Sequence, residues 1–304
     1  MDRHELAWAA GFFDGEGWAN SAASKGRQTR QPHARINQAG SDGVPEVLLR
    51  FQRALGGLGR IGGPQVDEGR KDLYRWEVSS RGDVELLLHL LAPWLGAVKS
   101  QQIASALGRG ISRVAVARPT GEWRAWAAGL YDGEGSTYLL DHRSHEGYRI
   151  AEAAITQLSD GGAPEVLRRF AAVVGVGHIN GPYSQRDAHA AVYRWKSRAR
   201  RDVERLLAIM WPWLSAVKRA QAQQVLDVIY SQADLPRGNP AWGNRKTPCV
   251  HGHEYATARI RPYVARGKVV QRRENQQCLV CVRDYARKQR EEKRSASEHD
   301  CRSL

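Results

Sequence analysis

The chain has 304 residues, with 46 Lys and Arg against 32 Asp and Glu, a formal net charge of +14, and arginine as the main basic residue. That length allows two or three modest domains. No run of 18 apolar residues could form a spanning helix, and the opening MDRHELAWAAGFFDGEG has acids and glycines where a secretory leader has a basic start and an apolar core. The expectation is a soluble, intracellular protein with a polyanionic partner. Nucleic acid comes first because Arg forks fit phosphate and guanine, although ribosomal and membrane-surface proteins are equally basic.

The pattern reads as a helix ending in AWAAGFFDGEG (7–17), strands at 18–23 and 33–38, and a helix opened by Pro45 behind Asp42 as a possible cap. Strands at 59–66 and 72–79 follow, bounded by Gly, Pro or polar clusters, and then helices at 83–91 and 96–107. Residues 108–121 form a link, after which the order starts again at an offset of 118 to 119 residues. AWAAGLYDGEG (125–135) repeats the first helix, and ITQLSDGGAPEVLRRF (155–170) repeats INQAGSDGVPEVLLRF (36–51), with Pro164 in the place of Pro45 and Asp160 ahead of it as a possible cap. Residues 73–107 match 192–226 at 17 of 35 positions without a gap. Two copies are too few for a solenoid, so the reading is a duplicated α+β domain, 1–110 and 119–230, whose halves pack about a pseudo-two-fold axis. Trp76 and Trp195, in the shared YRW, read as core.

The first helix of each half carries small residues every four positions, Ala7, Gly11 and Gly15 in one and Ala125, Gly129 and Gly133 in the other. Such stripes face one side and let two helix backbones approach closely. Each helix then runs into Asp14 and Glu16, or Asp132 and Glu134. Carboxylates at the negative end of a helix are repelled unless a cation compensates. Carboxylates together with the free carbonyls of a last turn, those of Gly15 and Gly133 here, are Mg²⁺ ligands, and two such sets side by side suit metal-assisted attack on phosphodiesters.

AAGFFDGEG and AAGLYDGEG resemble the motif of the LAGLIDADG homing endonucleases, and the likeness runs over residues 5–228. It implies two αββαββα subdomains whose motif helices form the interface and whose sheets form a saddle on the DNA major groove. It implicates Glu16 and Glu134 as ligands of the catalytic metal, and leaves Asp14 and Asp132 at the acidic position that is more often structural. Gln38 and Gln157 match a polar residue that orients water near the metal. Lys99 and Lys218, in PWLGAVK and PWLSAVK, match the family's basic residue and are expected to stabilise developing phosphate charge. Phe12, Phe13 and Tyr131 depart from the usual aliphatics, and Glu stands where Asp is frequent.

The expected DNA contacts lie in and around the strands: Lys25, Arg27, Arg30, Arg35, Arg60, Arg70, Lys71 and Arg75, then His142, Arg143, Arg149, His178, Arg186, Arg194 and Lys196. The halves differ most at these positions, as expected when each reads its own half-site.

Beyond residue 230 the repeat stops. Residues 231–247 read as a linker and 248–290 as a separate module. CVHGH at 249–253 and CLVC at 278–281 place paired ligands on two knuckles, and Cys249, His253, Cys278 and Cys281 are the expected tetrahedral Zn²⁺ set. His251 competes with His253, and Cys301 has no assignment. The segment resembles the treble-clef-like zinc modules of phage and bacterial homing and HNH endonucleases, which implies a structural zinc and accessory DNA binding. Residues 231–304 supply +8 of the net charge, and 291–304 read as a disordered tail.

The resemblance therefore implies a monomeric, Mg²⁺-dependent enzyme cutting both strands of a duplex DNA site, and the leader-free start and Arg-rich composition lead to the expectation of the cytoplasm of a bacterium or of a phage-infected host. A non-cleaving nucleic-acid binder on the same fold, an intron RNA maturase or a DNA-binding regulator, is the alternative.

Overall fold

The computed structural model describes residues 1–23, 30–66, 69, 71–110, 116–141, 148–183, 191–232, 263–265, 268–270 and 287. The chain divides into two units, Met1–Asp234 and Leu235–Leu304.

The first unit holds the duplication. Its first half runs α1 (Arg3–Glu16), β1 (Gly17–Ala23), β2 (Arg30–Gly40), α2 (Glu46–Ala54), β3 (Arg60–Gln65), β4 (Asp72–Val78), α3 (Arg81–Leu91) and α4 (Ala97–Ala106). The second repeats it as α5 (Gly121–Glu134), β5 (Gly135–Asp141), β6 (Arg149–Ser159), α6 (Glu165–Val174), β7 (His178–Tyr183), β8 (Ala191–Ser197), α7 (Arg200–Met210) and α8 (Ala216–Ser231). Each half has one antiparallel four-stranded sheet, ordered β1-β2-β4-β3 and β5-β6-β8-β7.

Strand alternation explains how each sheet meets its helices. Along β2, Pro32, Ala34 and Ile36 are buried while His33, Arg35 and Asn37 are not, and along β4 Tyr74, Trp76 and Val78 are buried between more open neighbours. Trp76 packs edge-on to Phe51 of α2 and Trp195 edge-on to Phe170 of α6, each with ring centroids 4.8 Å apart. Both indoles are fully buried and donate to a carbonyl, Trp76 to Leu58 and Trp195 to Val176.

Two expectations are corrected in detail. Pro45 and Pro164 occupy the N-cap positions of α2 and α6, not the first helical turn, and no side chain caps either helix. Asp42 and Asp160 stand too far ahead, because a cap carboxylate serves the amides of the two or three residues that follow it. Strand β2 also runs three residues earlier than the pattern indicates. Pro32 is tolerated there because β4 ends at Val78, opposite Ala34, so at Pro32 only β1 is a neighbour.

In the second unit the described residues form β9 (Tyr263–Ala265) and β10 (Lys268–Val270), an antiparallel pair. Cys249, His251, His253, Cys278, Cys281, Cys301 and the tail at 291–304 lie outside the described residues, as do Lys25, Arg27, Arg70, His142, Arg143 and Arg186.

Candidate active site at the base of the helix pair

Helices α1 and α5 form the spine of the first unit. Residues Leu6–Asp14 and Ala125–Asp132 are buried without interruption, as in a helix enclosed on every side. A Cβ on Gly11 would sit 1.9 Å from the Trp126 carbonyl oxygen, and one on Gly129 would sit 1.9 Å from that of Trp8. The two backbones touch at these glycines, and the reciprocal distances mark the pseudo-two-fold axis.

One turn further on, the side chains of Glu16 and Glu134 cross over each other's helix. Cγ of Glu134 lies 2.9 Å from the Cβ position of Gly15, and Cγ of Glu16 the same distance from that of Gly133. Both carboxylates are partly buried. Burial, then repulsion from Glu134, raises the pKa of Glu16, and burial raises that of Glu134.

Each carboxylate has an amide and two ammonium groups around it. Gln38 is hydrogen-bonded to Glu16, and Gln157 to Glu134. Strand parity explains their reach, since Gln38 lies two residues beyond Ile36 on the helix-facing side of β2. Lys99, in the first turn of α4, donates from Nζ to the Gly17 carbonyl at 2.5 Å, and Lys218, in the first turn of α8, to the Gly135 carbonyl at 2.5 Å. Burial lowers the pKa of both lysines, opposed by the surrounding carboxylates.

The earlier acids have different surroundings. Asp14 accepts from Trp126 Nε1 at 2.9 Å and from the Gly96 amide at 2.9 Å. Asp132 accepts from Trp8 Nε1 at 2.8 Å and from the Ser215 amide at 3.0 Å. Burial pushes Asp14 up to about 7 and also raises Asp132. Sequence reasoning left these tryptophans out. Their place six residues before the acid in both repeats was the available signal.

The sheet face turned away from the helices carries the candidate contact residues. In the first half Trp18, Arg35, Glu77 and Arg60 lie in one cross-strand row. Arg35 stacks over Trp18 at 4.3 Å, Trp18 leans on His33, and Arg60 is ion-paired with Glu77. Arg75 shares this face and donates to Asn37, and Lys71 is exposed just before β4. In the second half Glu152 is fully buried and holds Tyr138, Arg194 and Arg198. Lys196 pairs in register with His178 on the same sheet. Arg30 and Arg149 follow the opposite parity at strand ends, where Arg30 donates to the Ser21 carbonyl and Arg149 pairs with Asp141 at 3.4 Å. Trp18, Asn37, Tyr138 and Glu152 were missed because they are not basic, and His33 because single residues do not reveal the face, which strand alternation defines.

Among the described residues no cluster of three or more His, Cys, Asp or Glu side chains is placed to hold a metal. Two part-buried carboxylates that cross at the ends of the motif helices nonetheless fit a hard divalent cation, which takes its remaining ligands from carbonyl, water and substrate oxygens. No helix among the described residues is long and apolar enough to cross a membrane.

No protein-family description matches the chain, and no curated protein is similar to it in sequence. Solved structures are similar. They include the LAGLIDADG homing endonuclease I-GzeII in complex with DNA target, at 17% identity and a TM-score of 0.53 over 76% of this chain and 93% of that one. The LAGLIDADG meganuclease I-CpaMI bound to uncleaved DNA matches at 14% identity and a TM-score of 0.55 over 76% and 93%. I-AabMI, likewise bound to uncleaved DNA, matches at 17% identity and a TM-score of 0.54 over 81% and 100%. The fold is that of the LAGLIDADG homing endonucleases, as the two motif helices imply.

Proposed function

We propose that the chain is a site-specific DNA endonuclease that hydrolyses one phosphodiester in each strand of a duplex with the help of a divalent cation. The observation that carries this reading is the reciprocal pair Glu16 and Glu134 on the pseudo-two-fold axis, each with its own glutamine and both beside Lys99 and Lys218. Two sheet faces that present arginine, lysine and aromatic side chains flank it. A duplex has the same approximate two-fold symmetry, so one chain with two half-sites matches two strands.

Glu16 and Glu134 would hold the metal with the carbonyls of Gly15 and Gly133, and the bound metal would supply Lewis-acid polarisation and a more acidic water. Burial raises the pKa of both carboxylates, repulsion from Glu134 raises that of Glu16 further, and a bound cation would favour their ionised forms. Gln38 and Gln157 fix the carboxylates through the amide N–H groups and leave the amide oxygen to accept from a water. Lys99 and Lys218, anchored on the carbonyls of the last glycine of each motif, Gly17 and Gly135, place positive charge beside the reacting phosphate. In the second unit, Cys249, His253, Cys278 and Cys281 would hold a structural Zn²⁺, and its basic surroundings would add phosphate contacts.

A cleavage selection from a randomised duplex library with Mg²⁺ tests the reading. Recovery of one sequence cut in both strands supports it. Retention of nucleic acid without any cut would instead identify a non-cleaving binder, a maturase or a regulator.

A further inference from the structure

Two buried acids take no part in the chemistry above, and what they hold gives them a use. Asp14 of α1 grips the amide of Gly96, the N-cap residue of α4, and α4 has no side-chain cap of its own. Lys99 stands three residues further on. The other bond to Asp14 comes from the opposite half, from Trp126 of α5. The turn before Gly96 is held from the opposite half as well, since Arg169 of α6 donates from Nη1 to the carbonyls of Trp94 at 2.9 Å and Leu95 at 3.3 Å.

The second half mirrors this arrangement with different atoms. Asp132 takes the Ser215 amide at the N-cap of α8, three residues before Lys218, and its crossing bond comes from Trp8 of α1. Arg50 of α2 donates from Nη1 to the Trp213 carbonyl at 2.6 Å and stacks over Trp8 at 4.0 Å.

We propose that each half's site lysine is positioned by the other half. Trp126 and Arg169 set Lys99, and Trp8 and Arg50 set Lys218. This rests on the nuclease reading above and adds a coupling between its two centres. Each ammonium is held on a carbonyl of its own half, Lys99 on Gly17 and Lys218 on Gly135, and a flexible four-carbon stem keeps that bond only while its helix begins in the right place. The start of α4 is fixed by a buried carboxylate and two donors from across the pseudo-two-fold axis. An interface built for stability alone would meet its needs with apolar side chains, since buried charges add little net stability. Separated halves would lack these contacts at both lysines, so the centres are complete only when the helix pair is closed. Trp126, Arg169, Trp8 and Arg50 are positioning residues in this scheme, because they reach the chemistry only through a lysine.

Strand-resolved, single-turnover cleavage of the duplex recovered by selection tests the proposal, with Lys99→Ala and Lys218→Ala first identifying the strand each lysine serves. Trp126→Phe and Arg169→Lys, which keep the ring and the charge, are expected to slow the Lys99 strand by about tenfold or more and the other strand by less than about threefold, as a displacement of about 1 Å predicts. Trp8→Phe and Arg50→Lys are expected to slow the Lys218 strand instead. Arg169→Lys and Arg50→Lys retain a cation at each turn, so they give the same readout should the tryptophan variants fold poorly. Equal slowing of both strands, or slowing of the same strand whichever half is changed, would overturn the proposal and leave the nuclease reading intact. A wild-type chain that cuts neither strand would remove both.

Discussion

Replacing Gly11 by alanine probes the helix crossing on which the site is built. The new methyl carbon would lie 1.9 Å from the Trp126 carbonyl oxygen, whereas such atoms ordinarily approach no closer than about 3.3 Å. The helices must therefore part by about 1.4 Å at the crossing, and a gap of about 1 Å already forfeits up to about half of each dispersion contact along the shared face. Overpacking commonly costs about 1–3 kcal/mol, and the obstacle here is the backbone of a buried helix, so about 3 kcal/mol or more is expected despite alanine's better helix propensity. At roughly 2–4 °C per kcal/mol for a domain of this size, the melting temperature should fall by about 6–12 °C, with Gly129→Ala matching it. Gly82→Ala, in the first turn of α3 with nothing within 4 Å of the new methyl, serves as the control and should lose nothing. Thermal unfolding followed by circular dichroism reads all three. Melting of Gly11→Ala within about 2 °C of the wild type would refute the close crossing.

Lys99→Ala or Lys218→Ala should reduce cleavage of one strand by about 100-fold or more with little change in DNA affinity, measured by gel-resolved nicking, because each removes a charge beside the reacting phosphate. Burial holds Glu16 and Glu134 above the ordinary carboxylate range, and the metal binds their ionised forms. The Mg²⁺ concentration for half-maximal cleavage should thus rise as pH falls toward the ordinary carboxylate range, and a flat dependence over that descent, titrated as rate against Mg²⁺, would count against the ligand assignment. For stability without metal the sign reverses. Asp14, at about 7, keeps a proton in the folded state that the unfolded chain gives up, so its stabilising contribution is fully present below the unfolded value and is lost as pH rises through about 7. Purification without chelator should yield close to one Zn²⁺ per chain by elemental analysis, and Cys278→Ser should release it and weaken DNA binding without moving the cut.

Most of the fold was legible because the duplication reports each element twice. Helix α4 and its counterpart were placed by the same PWL-x-AVK stretch, and the strands by Gly and Pro boundaries that recur at one offset. The glutamates, glutamines and lysines that come together at the base of the helix pair stood out for the same reason, since both repeats retain them. What escaped was contact across the pseudo-two-fold axis. Trp8 sits 124 residues from its partner Asp132 and Arg50 sits 163 from Trp213, and no local spacing encodes such pairs. The sheet faces escaped for another reason. Arg194 reads as a free cation in sequence, whereas folding brings it to the buried Glu152, and a basic residue on a strand is available to a phosphate only to the extent that its neighbours across the ladder leave it so.

Strand-resolved cleavage by Glu16→Gln and Glu134→Gln on the selected duplex, with binding measured in parallel, tests the central claim most directly. Each substitution keeps the side chain's size and removes its charge, so DNA binding should stay within about threefold of the wild type while double-strand cleavage disappears and at least one strand is left intact. Cleavage of both strands at the wild-type rate by both variants under limiting Mg²⁺ would contradict it, because a site that works without either carboxylate is not organised around them.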